Sequence, residues 1–197
     1  MQVVLATHNP HKVAELAAIA ADHGLDLDIV GYHGPEPVED GVSFEQNALI
    51  KARAAVRHTG CVSVADDSGI CVDVLGGAPG IFSAYWAGHG GDATANLNLL
   101  LDQLADIRDP HRGARFVATL AVVVPDGSER VVRGEWAGRI ARTVAGDRGF
   151  GYDPIFIPDG QSAAHERTAA QYRTDEKNRF SHRAQAFRAL MPVLTEL

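Results

Sequence analysis

Two adjacent carboxylates, Asp66 and Asp67, follow the apolar run Val62-Ser63-Val64-Ala65 and precede Ser68-Gly69. Placing two charges at the end of an apolar strand is costly unless partners compensate them. Hard oxygen ligands at such a point suit Mg²⁺, which commonly bridges one or two carboxylates to substrate phosphates. Neighbouring side chains on a strand point to opposite faces, so the two groups should divide their work. One carboxylate would hold metal or activate water while the other anchors the chain. The structural alternative is an Asx-type turn at Asp67-Ser68-Gly69, closing a hairpin between Val62–Asp66 and Ile70–Leu75.

Four further clusters carry chemistry-bearing side chains. Thr7-His8-Asn9-Pro10-His11-Lys12 lies between a strand-like and a helix-like segment. A helix N-terminus offers unpaired N–H groups to phosphate, Thr7 and Asn9 add donors, and Lys12 adds positive charge. No G-x-x-x-x-G-K-[ST] loop occurs anywhere in the chain, so this is not a P-loop. Glu39-Asp40 precedes a helical segment on which Asn47 and Lys51 share one face at i, i+4; together they offer a metal ligand and a phosphate contact. In Gly149-Phe150-Gly151-Tyr152-Asp153-Pro154, the glycines permit close backbone approach and the rings could stack on a base. Lys177 and Ser181-His182-Arg183 put basic residues at the start of the last helix, where they oppose the helix dipole. Something anionic should compensate them, and Arg183 has a fork of donors suited to phosphate or a base carbonyl.

The elements that must position these residues read as an α/β layered fold. Val3–Ala6 is a short buried strand, Lys12–His23 a helix stopped by Gly24, and Leu25–Val30 an exposed strand. Residues 31–42 form a loop. Ser43-Phe44-Glu45-Gln46 has capping-box spacing, opening a helix that ends at Thr59 before Gly60. Asp92 caps a helix reaching Leu104. Phe116–Val124 and Arg130–Arg133 pair as a hairpin around Pro125-Asp126-Gly127. Thr174–Leu197 is mostly helical, with Ser181 placed to cap its second part.

With 197 residues, a single domain spanning 1–197 is expected, and a hydrophobic content of 46% allows a sizeable core. The 18 basic residues against 25 acidic ones give a net charge of −7, which argues against a nucleic-acid or anionic-membrane surface. It leaves room for a local cationic cleft gathering Lys12, Lys51, Lys177 and Arg183. Cys61 and Cys71 lack C-x-x-C spacing and read as free buried thiols of a reducing cytoplasm. No run reaches the roughly 18 apolar residues of a membrane span.

In order and together, these segments resemble the inosine triphosphate pyrophosphatase family. The resemblance runs from Leu5–Lys12 through Ser43–Ala48, Ala65–Gly69, Gly76–Ala84 and Gly149–Pro154 to Ser181-His182-Arg183. It implies a central mixed twisted sheet with flanking helices, and two lobes around a nucleotide-binding cleft. It also implies a cytoplasmic homodimer that hydrolyses non-standard purine nucleoside triphosphates (ITP, dITP, XTP) to monophosphate and pyrophosphate with Mg²⁺. By motif, Thr7, His8, Asn9, Pro10, His11 and Lys12 would hold the triphosphate. Asp67 would be the general base and a metal ligand, with Glu39 as second ligand. Lys51 and Ser68 would touch substrate; Phe150, Gly151, Tyr152, Asp153, Lys177, His182 and Arg183 would bind the nucleotide around base and sugar. Three positions depart from the family pattern: Gln46 and Gln171 replace common glutamates, and Tyr85 stands where arginine is expected.

Overall fold

The computed structural model describes residues 1–8 and 10–197, and the side chains of all of these except Pro10, His11 and Glu15. Among the described residues, six strands form one sheet in the order β2-β1-β3-β4-β5-β6: β1 Gln2–Leu5, β2 Asp28–Gly31, β3 Val62–Val72, β4 Gly113–Val123, β5 Glu129–Ile140 and β6 Phe156–Pro158. The sheet is mixed. β1 pairs in parallel with both β2 and β3, and β6 runs antiparallel to β5. Among the described residues, five α-helices accompany it: α1 Pro10–Asp22, α2 Phe44–Thr59, α3 Ala93–Gln103, α4 Thr174–Phe180 and α5 His182–Thr195.

Local chemistry accounts for the helix ends. Ser43 Oγ accepts from the Gln46 N–H at 3.2 Å, and Gln46 Oε1 accepts from the Val42 N–H at 2.9 Å. At the other end of α2, Gly60 adopts a left-handed conformation and donates to Val56 O at 2.8 Å. Asp92 accepts from the N–H groups of Thr94 and Ala95, opening α3 as expected of an N-cap. Ser181 lies directly before α5.

The chain forms two compact units. Unit 1 comprises Met1–Asp67, Ala118–Gly134 and Arg183–Leu197. Its core packs Val3 and Leu5 of β1, Val64 of β3, Leu120 of β4, Leu16 of α1 and Phe187 and Leu190 of α5. An alanine face of α2 (Ala48, Ala52) seats against Ala65 and Ala121; small side chains there let the helix lie close to the strands. Unit 2 comprises Ser68–Val117 and Glu135–His182. Its core gathers Ile70, Leu100, Leu104, Phe116, Trp136, Ile140, Ile155 and Phe156. Buried within this unit, the Arg112 guanidinium donates to the carbonyls of Leu104, Ile107, Ile140 and Ala141, tying the end of α3 to the end of β5.

One expected feature is corrected. No turn separates Val62–Asp66 from Ile70–Leu75: β3 is continuous from Val62 to Val72, with Asp66 to Gly69 inside it. Gly69 permits this extension, because a Cβ there would lie 2.4 Å from both Gly80 O and Ser83 Oγ. The neighbouring 3₁₀ segment Gly80–Tyr85 thus seats directly on the strand, and Ser83 Oγ accepts the Ile70 N–H at 2.9 Å. Cys61 precedes β3 and is half-buried, whereas Cys71 is buried within the strand; neither is joined in a disulfide.

Candidate active site

The strand geometry at Asp66-Asp67 separates the two carboxylates, and each meets its own cations. In unit 1, Asp66 Oδ2 accepts from Lys12 Nζ of α1 and from Arg183 Nε of α5, both at 3.1 Å. The Asp66 side chain is only 6% exposed, so the two cations replace solvation lost on burial. Burial works against its charged form, but Lys12, Arg183 and Lys51 outweigh it and hold the carboxyl well below the usual carboxylate range. Arg183, in the first turn of α5, thus finds its compensating anion within the chain.

Asp67 meets α2 instead. Lys51 Nζ donates to Asp67 Oδ1 at 2.9 Å and to Glu39 Oε2 at 3.0 Å. One turn earlier, Asn47 Nδ2 lies 3.5 Å from Asp67 Oδ2, while Asn47 Oδ1 accepts the Gly41 N–H at 2.9 Å. The i, i+4 face of α2 therefore joins the Glu39 loop to the carboxylate on β3. Burial pushes the Asp67 carboxyl up to about 6; Lys51 opposes this, while Glu39 and Asp66 reinforce it. Burial depresses the Lys51 ammonium, yet Asp67 and Glu39 together raise it above its ordinary value. Asp67 is consequently an acid whose proton is lost near neutrality, a range suited to a general base.

Glu39 and Asp67 offer hard oxygen donors converging on one point, the Lys51 ammonium. That pair fits Mg²⁺, which takes one or two carboxylates and completes its octahedron with water and phosphate oxygens. Among the described residues, no cluster of three or more His, Cys, Asp or Glu side chains could hold a metal ion.

Of the residues after β1, Thr7 is half-buried and His8 exposed. His8 Nδ1 lies 3.0 Å from Glu36 Oε1, and its ring stacks on Tyr32. Thr7 and His8 line a cavity of about 550 Å³ with Val13, Ala14, Ala17, Gly31 and His33. Asn9 lies outside the described residues, as do the side chains of Pro10 and His11. Ser68 is half-buried in β3.

Unit 2 holds the second group. Gly149 has φ +73°, and a Cβ there would meet Asp153 Oδ2 at 2.1 Å. Only glycine lets Asp153 reach back to accept the Phe150 N–H at 2.8 Å. The same oxygen, Asp153 Oδ2, accepts from Lys177 Nζ of α4 at 2.5 Å, and Lys177 Nζ sits 5.1 Å from the Phe150 ring centre. Phe150 is 65% exposed, whereas Tyr152 is buried and donates its OH to Ser83 O at 2.9 Å. The exposed ring in this loop is therefore Phe150, with half-buried Gly151 beside it. His182 is also buried, stacked on Phe116 with ring centres 4.9 Å apart.

The three departures from the family pattern have local roles. Gln46 fastens the start of α2 to Val42. Gln171 Oε1 accepts the Thr168 N–H at 2.9 Å, completing a capping box. Tyr85 stacks on His89 and packs edge-on against Phe82. Two residues outside the expected site set, Asp66 and Asn47, contact its members directly; the apolar context of the carboxylate pair and the i, i+4 spacing to Lys51 were their sequence signals.

A sequence model of the Ham1 family matches residues 3–193. A dITP/XTP pyrophosphatase of Leifsonia xyli subsp. xyli is 61% identical over 197 residues, covering all of this chain and 97% of that protein. One from Streptomyces coelicolor is 54% identical over 200 residues, covering all of this chain and 98% of that protein. Among solved structures, a HAM1 protein from Coxiella burnetii superposes with a TM-score of 0.90 at 37% identity, covering both chains fully. A nucleoside-triphosphatase / dITP/XTP pyrophosphatase from Mycobacterium abscessus superposes with a TM-score of 0.82 at 49% identity, covering 98% of this chain and all of that one.

Proposed function

We propose, on the premise that this chain belongs to the Ham1 family, a division of labour by which its residues hydrolyse non-standard purine nucleoside triphosphates. The enzyme is a nucleoside-triphosphate pyrophosphatase acting on dITP, XTP and ITP, and it cleaves the α–β phosphoanhydride to give monophosphate and pyrophosphate. The observation that carries the assignment of roles is the split of the Asp66-Asp67 pair. Asp66 is committed to two cations, and Asp67 is left with a carboxyl poised near neutrality beside Glu39.

In this reading Asp67 accepts the proton of the attacking water, and Asn47 and Lys51 fix the carboxylate's orientation. Glu39 and Asp67 would hold Mg²⁺, which when bound neutralises phosphate charge and polarises the phosphoryl oxygens. Thr7 to Lys12 bind the triphosphate, with Ser68 and Lys51 contributing donors. In unit 2, Phe150 supplies a stacking face, and Lys177, His182 and the Phe150–Asp153 backbone supply polar contacts to the nucleotide; in unit 1, Arg183 is assigned to the same nucleotide. Donors directed at the 6-keto group of hypoxanthine or xanthine select against adenine, whose amino group would leave donor facing donor. The enzyme acts in the cytoplasm as a homodimer. No helix of the described residues is long and apolar enough to cross a membrane.

Product analysis tests the reaction: pyrophosphate release from dITP, XTP and ITP, against ATP, GTP and dUTP, with and without Mg²⁺. Release of inorganic phosphate as direct product would overturn the bond assignment. For Asp67→Asn, kcat is expected to fall by about 10²- to 10⁴-fold, the range of general acid–base catalysis, with KM little changed. Near-normal turnover of that variant would remove Asp67 from its role.

A further inference from the structure

The Lys51 ammonium stands between the two carboxylates assigned to the divalent cation, 3.0 Å from Glu39 Oε2 and 2.9 Å from Asp67 Oδ1. Its side chain is 16% exposed and that of Asp67 14%, so water screens little of the charge these two share, whereas Glu39, 40% exposed, closes the site from the solvent side. Two carboxylates converging in this setting repel each other unless a cation lies between them. Lys51 supplies that cation from the chain itself. Its position follows from α2: Asn47, one turn before it, is pinned to the Gly41 N–H and faces the same Asp67 carboxylate.

We propose that Lys51 is the resident counter-ion of the metal site, competing with the divalent cation for Glu39 and Asp67 until a polyphosphate gives it another partner. The inference rests on the reading of Glu39 and Asp67 as metal ligands. A dication entering between these carboxylates would meet the Lys51 positive charge, which weakens its binding. A triphosphate relieves the conflict, because its oxygens accept the lysine ammonium as well as the metal. Metal and nucleotide therefore favour each other's binding, and by linkage the effect is reciprocal. Without nucleotide Lys51 occupies both carboxylates and offsets one of their two negative charges, and the enzyme holds little metal. Lys51 is thus a positioning residue with two partners in turn, carboxylates first and phosphate afterwards.

Direct Mn²⁺ binding to the nucleotide-free protein, followed by electron paramagnetic resonance or calorimetry, tests this without any turnover. Lys51→Met is expected to bind Mn²⁺ about tenfold or more tightly than wild type. Lys51→Arg, which keeps the charge, should stay within a few-fold of wild type. The double variant Glu39→Gln/Lys51→Met should lose the gain. Lys51→Gln serves as a second neutral variant, and a larger Mn²⁺-induced rise in Tm than wild type shows in either variant that a folded protein gained affinity. Unchanged or weaker Mn²⁺ binding in both neutral variants overturns the competition. A gain that survives in the double variant overturns the site assignment of Glu39. Failure of the pyrophosphatase reading shows separately, as absent pyrophosphate release by wild type with Mg²⁺, whereas the Mn²⁺ comparison reports on Lys51 alone.

Discussion

Asp66 and Asp67 are chemically identical neighbours given opposite tasks by the side chains they meet. Asp66 shares one oxygen between Lys12 and Arg183 and stays ionised through the whole working range. Its folded pKa is depressed, so its contribution is fully present above the ordinary value of 3.8 and lost as pH falls below it. Asp67 behaves in the reverse sense. Its folded pKa of about 6 lies above 3.8, so between these values the native state binds the proton more tightly than the unfolded chain does. The metal-free protein therefore loses stability as pH rises from about 4 to about 6 through this group. Urea unfolding of metal-free protein between pH 4 and pH 8 should show that component in wild type and its removal in Asp67→Asn. Asp66→Asn, by contrast, leaves two cations without their buried anion and should cost about 3 kcal/mol at pH 7. An Asp67→Asn protein with the same pH dependence as wild type would show that the proton resides elsewhere.

At the scale of elements, β3 is the central finding. Its eleven residues carry the carboxylates in mid-strand instead of at a turn. Sequence patterning favours a break at Asp67-Ser68-Gly69 because polar residues with glycine commonly form turns. The break does not occur, because Asp66 is compensated from α1 and α5 and Asp67 from α2, and Gly69 is used for close approach instead of for a bend. Gly69→Ala should therefore destabilise the protein by about 1–3 kcal/mol, as overpacking against the Gly80 carbonyl and Ser83 forces backbone to shift. Chemical denaturation measures the loss, and a neutral result would mean the 3₁₀ segment Gly80–Tyr85 moves aside freely. Helix α2 shows the opposite case, in which local signals suffice. The Ser43 cap, the Gln46 side chain and the Gly60 terminus bound it as its sequence indicates, and its polar stripe faces the carboxylate it was expected to serve.

Across the whole molecule, the net charge of −7 conceals a finer arrangement. The four cations expected to gather for a polyanion are each ion-paired: Lys12 and Arg183 with Asp66, Lys51 with Glu39 and Asp67, and Lys177 with Asp153. Added phosphate must draw these side chains from carboxylates, so nucleotide alone should bind weakly. In a thermal unfolding series, dITP with Mg²⁺ is expected to raise Tm by several degrees, and dITP with a chelator by far less. Equal shifts would show that phosphate binding does not depend on the divalent cation. The amino-acid sequence by itself determined the α/β class, the bounds of α2 and α3, the motif set of the family and the presence of an acidic pair in an apolar run. These are matters of local propensity, periodicity and capping, legible within a few residues. Only the tertiary structure decided that β3 runs through the pair, that Tyr152 is buried while Phe150 is exposed, and which cation answers which carboxylate. Those outcomes depend on contacts between residues far apart in the chain, such as Asp66 with Arg183, and no local pattern records which distant charge a buried carboxylate will meet.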